Sequence, residues 1–105
     1  MGNASRTKAT RLGEKLLRLR LELGLSQNGM LERLGFSEEL FRSNVSQYEI
    51  GTRVPPLPVL LAYARAAGVY VDDLIDDELD LPDQIPGTVR HEGIRRKAGT
   101  RGRKR

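Results

Sequence analysis

Four glycines, Gly24, Gly35, Gly51 and Gly68, divide the middle of this chain into segments of a few helical turns each. Each follows a stretch of apolar residues at helical spacing, the place where a left-handed glycine commonly closes a helix. Before Gly24, Leu12, Leu16, Leu19 and Leu23 fall at i, i+4, i+7 and i+11 and form one apolar stripe, with Arg11, Glu14, Lys15, Arg18 and Glu22 off it. Before Gly35, Ser26 suits an N-cap and Met30, Leu31 and Leu34 supply a buried side. Gly29 inside that segment costs up to about 1 kcal/mol relative to alanine. Before Gly51, Phe41, Val45 and Tyr48 share a face and are predicted to be core. The simplest helix there runs over residues 38–49, with Ser37 as cap and Glu38 and Glu39 at the positive end of the dipole. Ser43 and Asn44 are also good N-caps, so a start near Ser43 is the alternative.

After the turn "VPPLP", Pro58 suits the first turn of a helix that is apolar nearly all round and is predicted to be the most buried. Beyond Gly68, Val69 and Val71 lean to extended structure, while Asp72 can cap a short helix holding Leu74 and Ile75. No segment alternates as a strand does. The predicted class is all-α, with four helices and a short fifth.

With 105 residues, 38% of them hydrophobic, the chain suits one small domain with a modest core. It has no cysteine, which excludes disulfides and thiol catalysis. No apolar run approaches the roughly 18–20 residues of a membrane span. The start "MGNASR" lacks a secretory apolar region, and its match to the N-myristoylation pattern is too short and common to assign. His91 is the sole histidine and has no cluster at ligand spacing. The acidic residues Asp72, Asp73, Asp76, Asp77, Glu78, Asp80 and Asp83 lack the glycine and spaced oxygens of a calcium loop and are read as a capped helix and a soluble acidic surface. No phosphate loop or nucleophile–base pair is present. An enzyme, a cofactor and a metal site are therefore not expected.

Charge is distributed in blocks. Residues 1–25 hold six Lys/Arg and two Glu, and residues 26–68 balance. Residues 69–86 hold seven acids and no base, while residues 87–105 hold eight bases and one acid. Basic arms around a neutral middle suit a polyanion, most simply nucleic acid, with solubilising tails as the alternative. The divisions expected are a flexible basic arm at residues 1–9, a folded domain at 10–81 and a basic, disordered Pro/Gly-containing tail at 82–105. The run "RRKAGTRGRKR" can neutralise phosphates without reading sequence.

"LGLSQNGMLERLG" followed by "SNVSQYEIGTRVP" resembles the Cro/C1-type helix-turn-helix family, the lambda-repressor-like DNA-binding domains. The likeness spans residues 12–75 and includes "LLAYARAAGV" and "DDLI". Two features depart from the family pattern. About four extra residues stand between Gly35 and Val45, and Leu31 replaces a small residue where the two motif helices meet. The resemblance implies that the third helix enters the major groove. Its base-facing candidates are Arg42, Ser43, Asn44, Ser46 and Gln47. The phosphate-binding candidates are Gln27, Thr52 and Arg53. Glu49 is read as a capping or salt-bridging acid. The function implied is a transcriptional regulator, most simply a repressor binding an inverted-repeat site on double-stranded DNA as a homodimer through residues 69–81. It would be cytoplasmic, in a bacterium or encoded by a phage. The alternative is an antitoxin or phage-type adaptor that docks a protein such as a toxin. A general nucleic-acid binder driven by both arms is a third reading.

Overall fold

In the computed structural model, residues 9–87 are described, and they form helices and loops only. Five helices follow in order: α1 (Leu12–Glu22), α2 (Gln27–Leu34), α3 (Arg42–Ile50), α4 (Leu57–Ala67) and α5 (Val71–Ile75). The all-α expectation holds. Gly35, Gly51 and Gly68 take positive φ and close α2, α3 and α4, while Gly24 does so just past α1. Ser26 caps α2 by accepting the Gly29 N–H at 2.9 Å.

The core joins the α1 stripe of Leu12, Leu16 and Leu19 to Met30, Leu34 and Tyr48, and to Val59, Leu60, Tyr63, Ala64 and Ala67 of α4. Burial of these apolar surfaces is the main stabilising term. Leu31 and Val45 are also buried, on the two motif helices that pack together. As predicted, α4 is the most buried helix among the described residues, with Val59, Leu60, Tyr63, Ala64 and Ala67 all buried, although Leu57, Leu61 and Arg65 lie exposed on one side. Tyr63 lies at the centre, fully buried, and its hydroxyl has no hydrogen-bond partner among the protein atoms described. Burial pushes its phenol far above the usual tyrosine range. Because an unpaired buried hydroxyl is a cost, Tyr63→Phe is expected to gain about 1 kcal/mol. Thermal melting should show this as a rise of a few degrees, and a fall would contradict it.

Two elements differ from expectation. The helix predicted over residues 38–49 starts only at Arg42. Residues 37–39 form a turn, in which the Phe36 carbonyl accepts the N–H groups of Glu39 (3.1 Å) and Leu40 (2.9 Å). Phe41 is the extended N-cap, and Asn44 Oδ1 accepts its N–H at 2.9 Å, so α3 begins near the Ser43 alternative. The shared-face rule that placed Phe41 in the core holds only within a helix, and outside it the ring is exposed. In α5 the cap is likewise shifted: Asp73, not Asp72, reaches back to accept the Tyr70 N–H at 3.0 Å.

The acidic segment is not merely a soluble surface. It is docked on α1. Lys15 is only 3% exposed, and its ammonium donates to the carbonyls of Asp73 (2.7 Å), Asp76 (3.0 Å) and Leu79 (2.7 Å). Arg11 bonds the Asp77 carbonyl and the Asp80 carboxylate, and Arg18 bonds the carbonyls of Pro82 and Asp83. Leu74, Leu81 and Ile85 enter the core beneath. Packing therefore continues past Leu81, and Gly87 lies so close to α4 that a Cβ would meet Ala66 O and the Ala67 backbone. The expectations for the N-terminal arm before Ala9, for His91 and for the basic run after residue 87 lie outside the described residues.

Asp77 caps α1 from afar. Its carboxylate accepts the N–H groups of Arg11 (3.0 Å) and Thr10 (2.9 Å) and the Thr10 hydroxyl (2.8 Å). These bonds, the Arg11 N–H first, hold its pKa below the ordinary carboxylate value. A depressed folded-state pKa stabilises fully above the unfolded value of about 3.9, and the effect is lost as pH falls from there through the lower folded-state value. Asp77→Asn is thus expected to lower the melting temperature at pH 7, with the gap to the parent closing below about pH 4. A gap unchanged down the acid limb would refute this role.

Candidate nucleic-acid interface

α3 turns two faces to different surroundings. Val45 and Tyr48 are buried, while Arg42, Ser43, Ser46 and Gln47 lie on the outer side, exposed or half-exposed. Among the described residues, none of these four side chains has a hydrogen bond or ion pair. An open groove runs between the start of α2 and α3. It is lined by Gln27, Asn28, Phe41, Arg42, Ser43, Ser46 and Gln47. At a helix start the first backbone N–H groups have no intrahelical partner, so the opening of α2 presents donors beside these side chains.

The position of α3 is fixed from behind by Glu49. Its carboxylate, 6% exposed, receives a two-pronged bond from Arg20 of α1, Nε to Oε2 at 2.6 Å and Nη2 to Oε1 at 3.1 Å. Arg20 also donates to the Leu25 carbonyl at 3.0 Å, and Gln27 Nε2 donates to Glu49 Oε1 at 3.2 Å. One acid thus ties α1, the start of α2 and α3 together, in line with its reading as a salt-bridging residue. The bond to Glu49 holds the Arg20 guanidinium more firmly charged. Gly13 lets α1 approach the end of α3 closely, since a Cβ there would stand 2.7 Å from the Glu49 carbonyl oxygen.

Past α3 the chain turns back on itself. The Gln47 carbonyl accepts the N–H groups of Gly51, Thr52 and Arg53 at 3.0, 3.0 and 3.3 Å. Thr52 and Arg53 are exposed in this turn, outside the groove. Of the eight predicted contact residues, Gln27, Arg42, Ser43, Ser46 and Gln47 therefore share one groove. Asn44 is half-buried with its amide oxygen engaged on the Phe41 N–H.

Residues 11–77 match the family model described as a helix-turn-helix domain. The protein belongs to the helix-turn-helix domain family. No curated protein and no solved structure matches the chain.

In this helix-turn-helix protein α2 and α3 pack together and are joined across the turn at residues 36–40. Two groove residues, Asn28 and Phe41, escaped the reading of the sequence. Asn28 carried a usable signal, since it follows the capping Ser26 on the exposed first turn of α2. Phe41 carried a misleading one, because its spacing to Val45 and Tyr48 is that of a core residue. Among the described residues no helix is long and apolar enough to cross a membrane, and no group of three or more His, Cys, Asp or Glu gathers as a metal site would.

Proposed function

We propose that this protein is a sequence-specific regulator of transcription, a repressor that lays α3 in the major groove of an inverted-repeat operator. The single observation that carries this reading is the outer face of α3, four polar side chains with no partner among the described residues, on a helix anchored from behind by Val45, Tyr48 and Glu49. A helix fills the major groove, where Arg pairs with guanine, Gln with adenine, and Ser with either donors or acceptors. Arg42, Ser43, Ser46 and Gln47 take these roles. Asn44 contributes through its amide N–H groups, its oxygen being engaged. Gln27 at the opening of α2, and Thr52 and Arg53 in the turn after α3, serve phosphates and set the register.

Gln47→Ala is expected to cost about 1–3 kcal/mol on the cognate site and to relax one position of it. Arg53→Ala should weaken all sequences alike and flatten the salt dependence by about one phosphate. Selection of bound sites from random DNA, followed by titration of each variant, checks both. Equal loss on every sequence for Gln47→Ala would sink its base-reading role.

The symmetric operator implies two copies. Residues 69–81 were the expected contact surface, but Leu74 and Leu81 are core and Val69 and Val71 are half-buried. The exposed apolar groups remaining there are Tyr70, Ile75 and Leu79, and these form the surface proposed for the homodimer. The same groups suit a protein partner such as a toxin, which keeps the adaptor reading as the alternative. Co-purification of a partner that is insensitive to changes at Ser46 and Gln47 would favour it.

A further inference from the structure

Among the described residues Phe41 is the one aromatic side chain lining the α2–α3 groove, and it is 75% exposed. It stands directly before α3, in extended conformation (φ −111°, ψ 163°). Its backbone is held on both sides: Asn44 Oδ1 accepts its N–H and the Asn44 N–H donates to its carbonyl, each at 2.9 Å. The ring's anchor point is thus set by the start of the helix. Its sequence neighbours of the same character, Phe36 and Leu40, pack against the core, whereas Phe41 does not join them. Scattered exposed apolar residues are ordinary on a protein surface. This one differs by its place, since its groove neighbours include Gln27, Arg42, Ser46 and Gln47, polar groups suited to DNA.

We propose that Phe41 is a specificity-determining residue whose ring packs on the 5-methyl group of a thymine beside the bases faced by α3. The thymine methyl projects into the major groove and is the one apolar group that a base edge offers there, and phenylalanine is among the side chains that read it. The turn at residues 36–40 delivers the ring, because α3 starts only at Arg42 after it and Phe41 is left extended as the N-cap. This inference rests on the DNA-reading role of α3 proposed above.

The test selects bound sites from random duplex DNA with the full chain and with Phe41→Ala. Phe41 is exposed, so the variant should melt as the parent does. The parent's consensus is expected to hold a thymine at one edge that the Phe41→Ala consensus lacks. Replacing that thymine by deoxyuridine removes only the methyl group. It should weaken the parent about fourfold, the value of one buried carbon, and leave Phe41→Ala unchanged. Phe41→Leu should keep the preference. An unchanged consensus in Phe41→Ala, or equal deoxyuridine sensitivity in both proteins, overturns the role of Phe41 alone. A Phe41→Ala effect on oligomeric state without deoxyuridine sensitivity overturns it in favour of a protein contact. Failure of the parent to enrich any sequence overturns the DNA-reading role and this inference together.

Discussion

Glu49→Ala is expected to remove about 3 kcal/mol of stability, the lower end of the cost of deleting one partner of a buried ion pair, because this pair is largely but not fully buried. Arg20, 13% exposed in the parent, would keep only the Leu25 carbonyl as a partner among the described residues. The loss is large beside the roughly 5–15 kcal/mol that holds a small domain together. Urea unfolding of the full chain measures it directly. Most of the penalty comes from stranding a charge and not from the worth of the pair. A double replacement, Arg20→Met with Glu49→Leu, should therefore recover most of the stability. DNA affinity would follow differently. The clamp sets how α3 sits on α1, so the recovered double variant should bind all sequences more weakly than the parent. A loss under about 1 kcal/mol for Glu49→Ala would show that the clamp contributes little.

Lys15→Met is the second large effect, about 3 kcal/mol. Methionine keeps the unbranched stem and removes the ammonium, so packing along the stem is largely preserved. What is lost is a cation using all three of its donors on main-chain carbonyls, those of Asp73, Asp76 and Leu79. Those carbonyls would then be left without that partner. Hydrogen exchange should rise first over residues 73–83, the segment these bonds hold to α1. Unchanged exchange there, with a normal melting temperature, would refute the role.

The boundaries set by glycine were legible because a left-handed turn is local chemistry: Gly35, Gly51 and Gly68 close the helices they were expected to close. The start of α3 was not, since two capping schemes compete over residues 37–44 and the choice depends on how the turn after Phe36 folds. The misplacement of Phe41 follows from that single error. Lys15 shows a different limit. It lies off the apolar stripe, as charged residues on a solvated face do, yet it is buried by carbonyls some sixty residues away in sequence. No pattern within α1 announces partners that are backbone atoms. The seven acids of residues 69–86 suggested water for the same reason, although the segment's main chain and its Leu74, Leu81 and Ile85 are what α1 holds. Of the candidate site, the outer residues of α3 could be read from Val45 and Tyr48, whose burial leaves Ser46 and Gln47 on the other side.

The shortness of the free face of α3 sets a limit that can be counted. From Arg42 to Gln47 the helix advances about 7 Å at roughly 1.5 Å per residue. Docked as proposed above and laid along the duplex, the face would cover about two steps of roughly 3.4 Å per base pair, which would put two or three pairs in reach. Each pair fully specified is two bits, hence about four to six bits for one copy. A target of that length recurs by chance about once in 16 to 64 base pairs, which leaves some 10⁴–10⁵ equal sites in a genome of about 10⁶. A unique address there needs about twenty bits. Two copies bring eight to twelve, and the remainder must come from readers off the helix, from the shape of the DNA, or from more copies side by side.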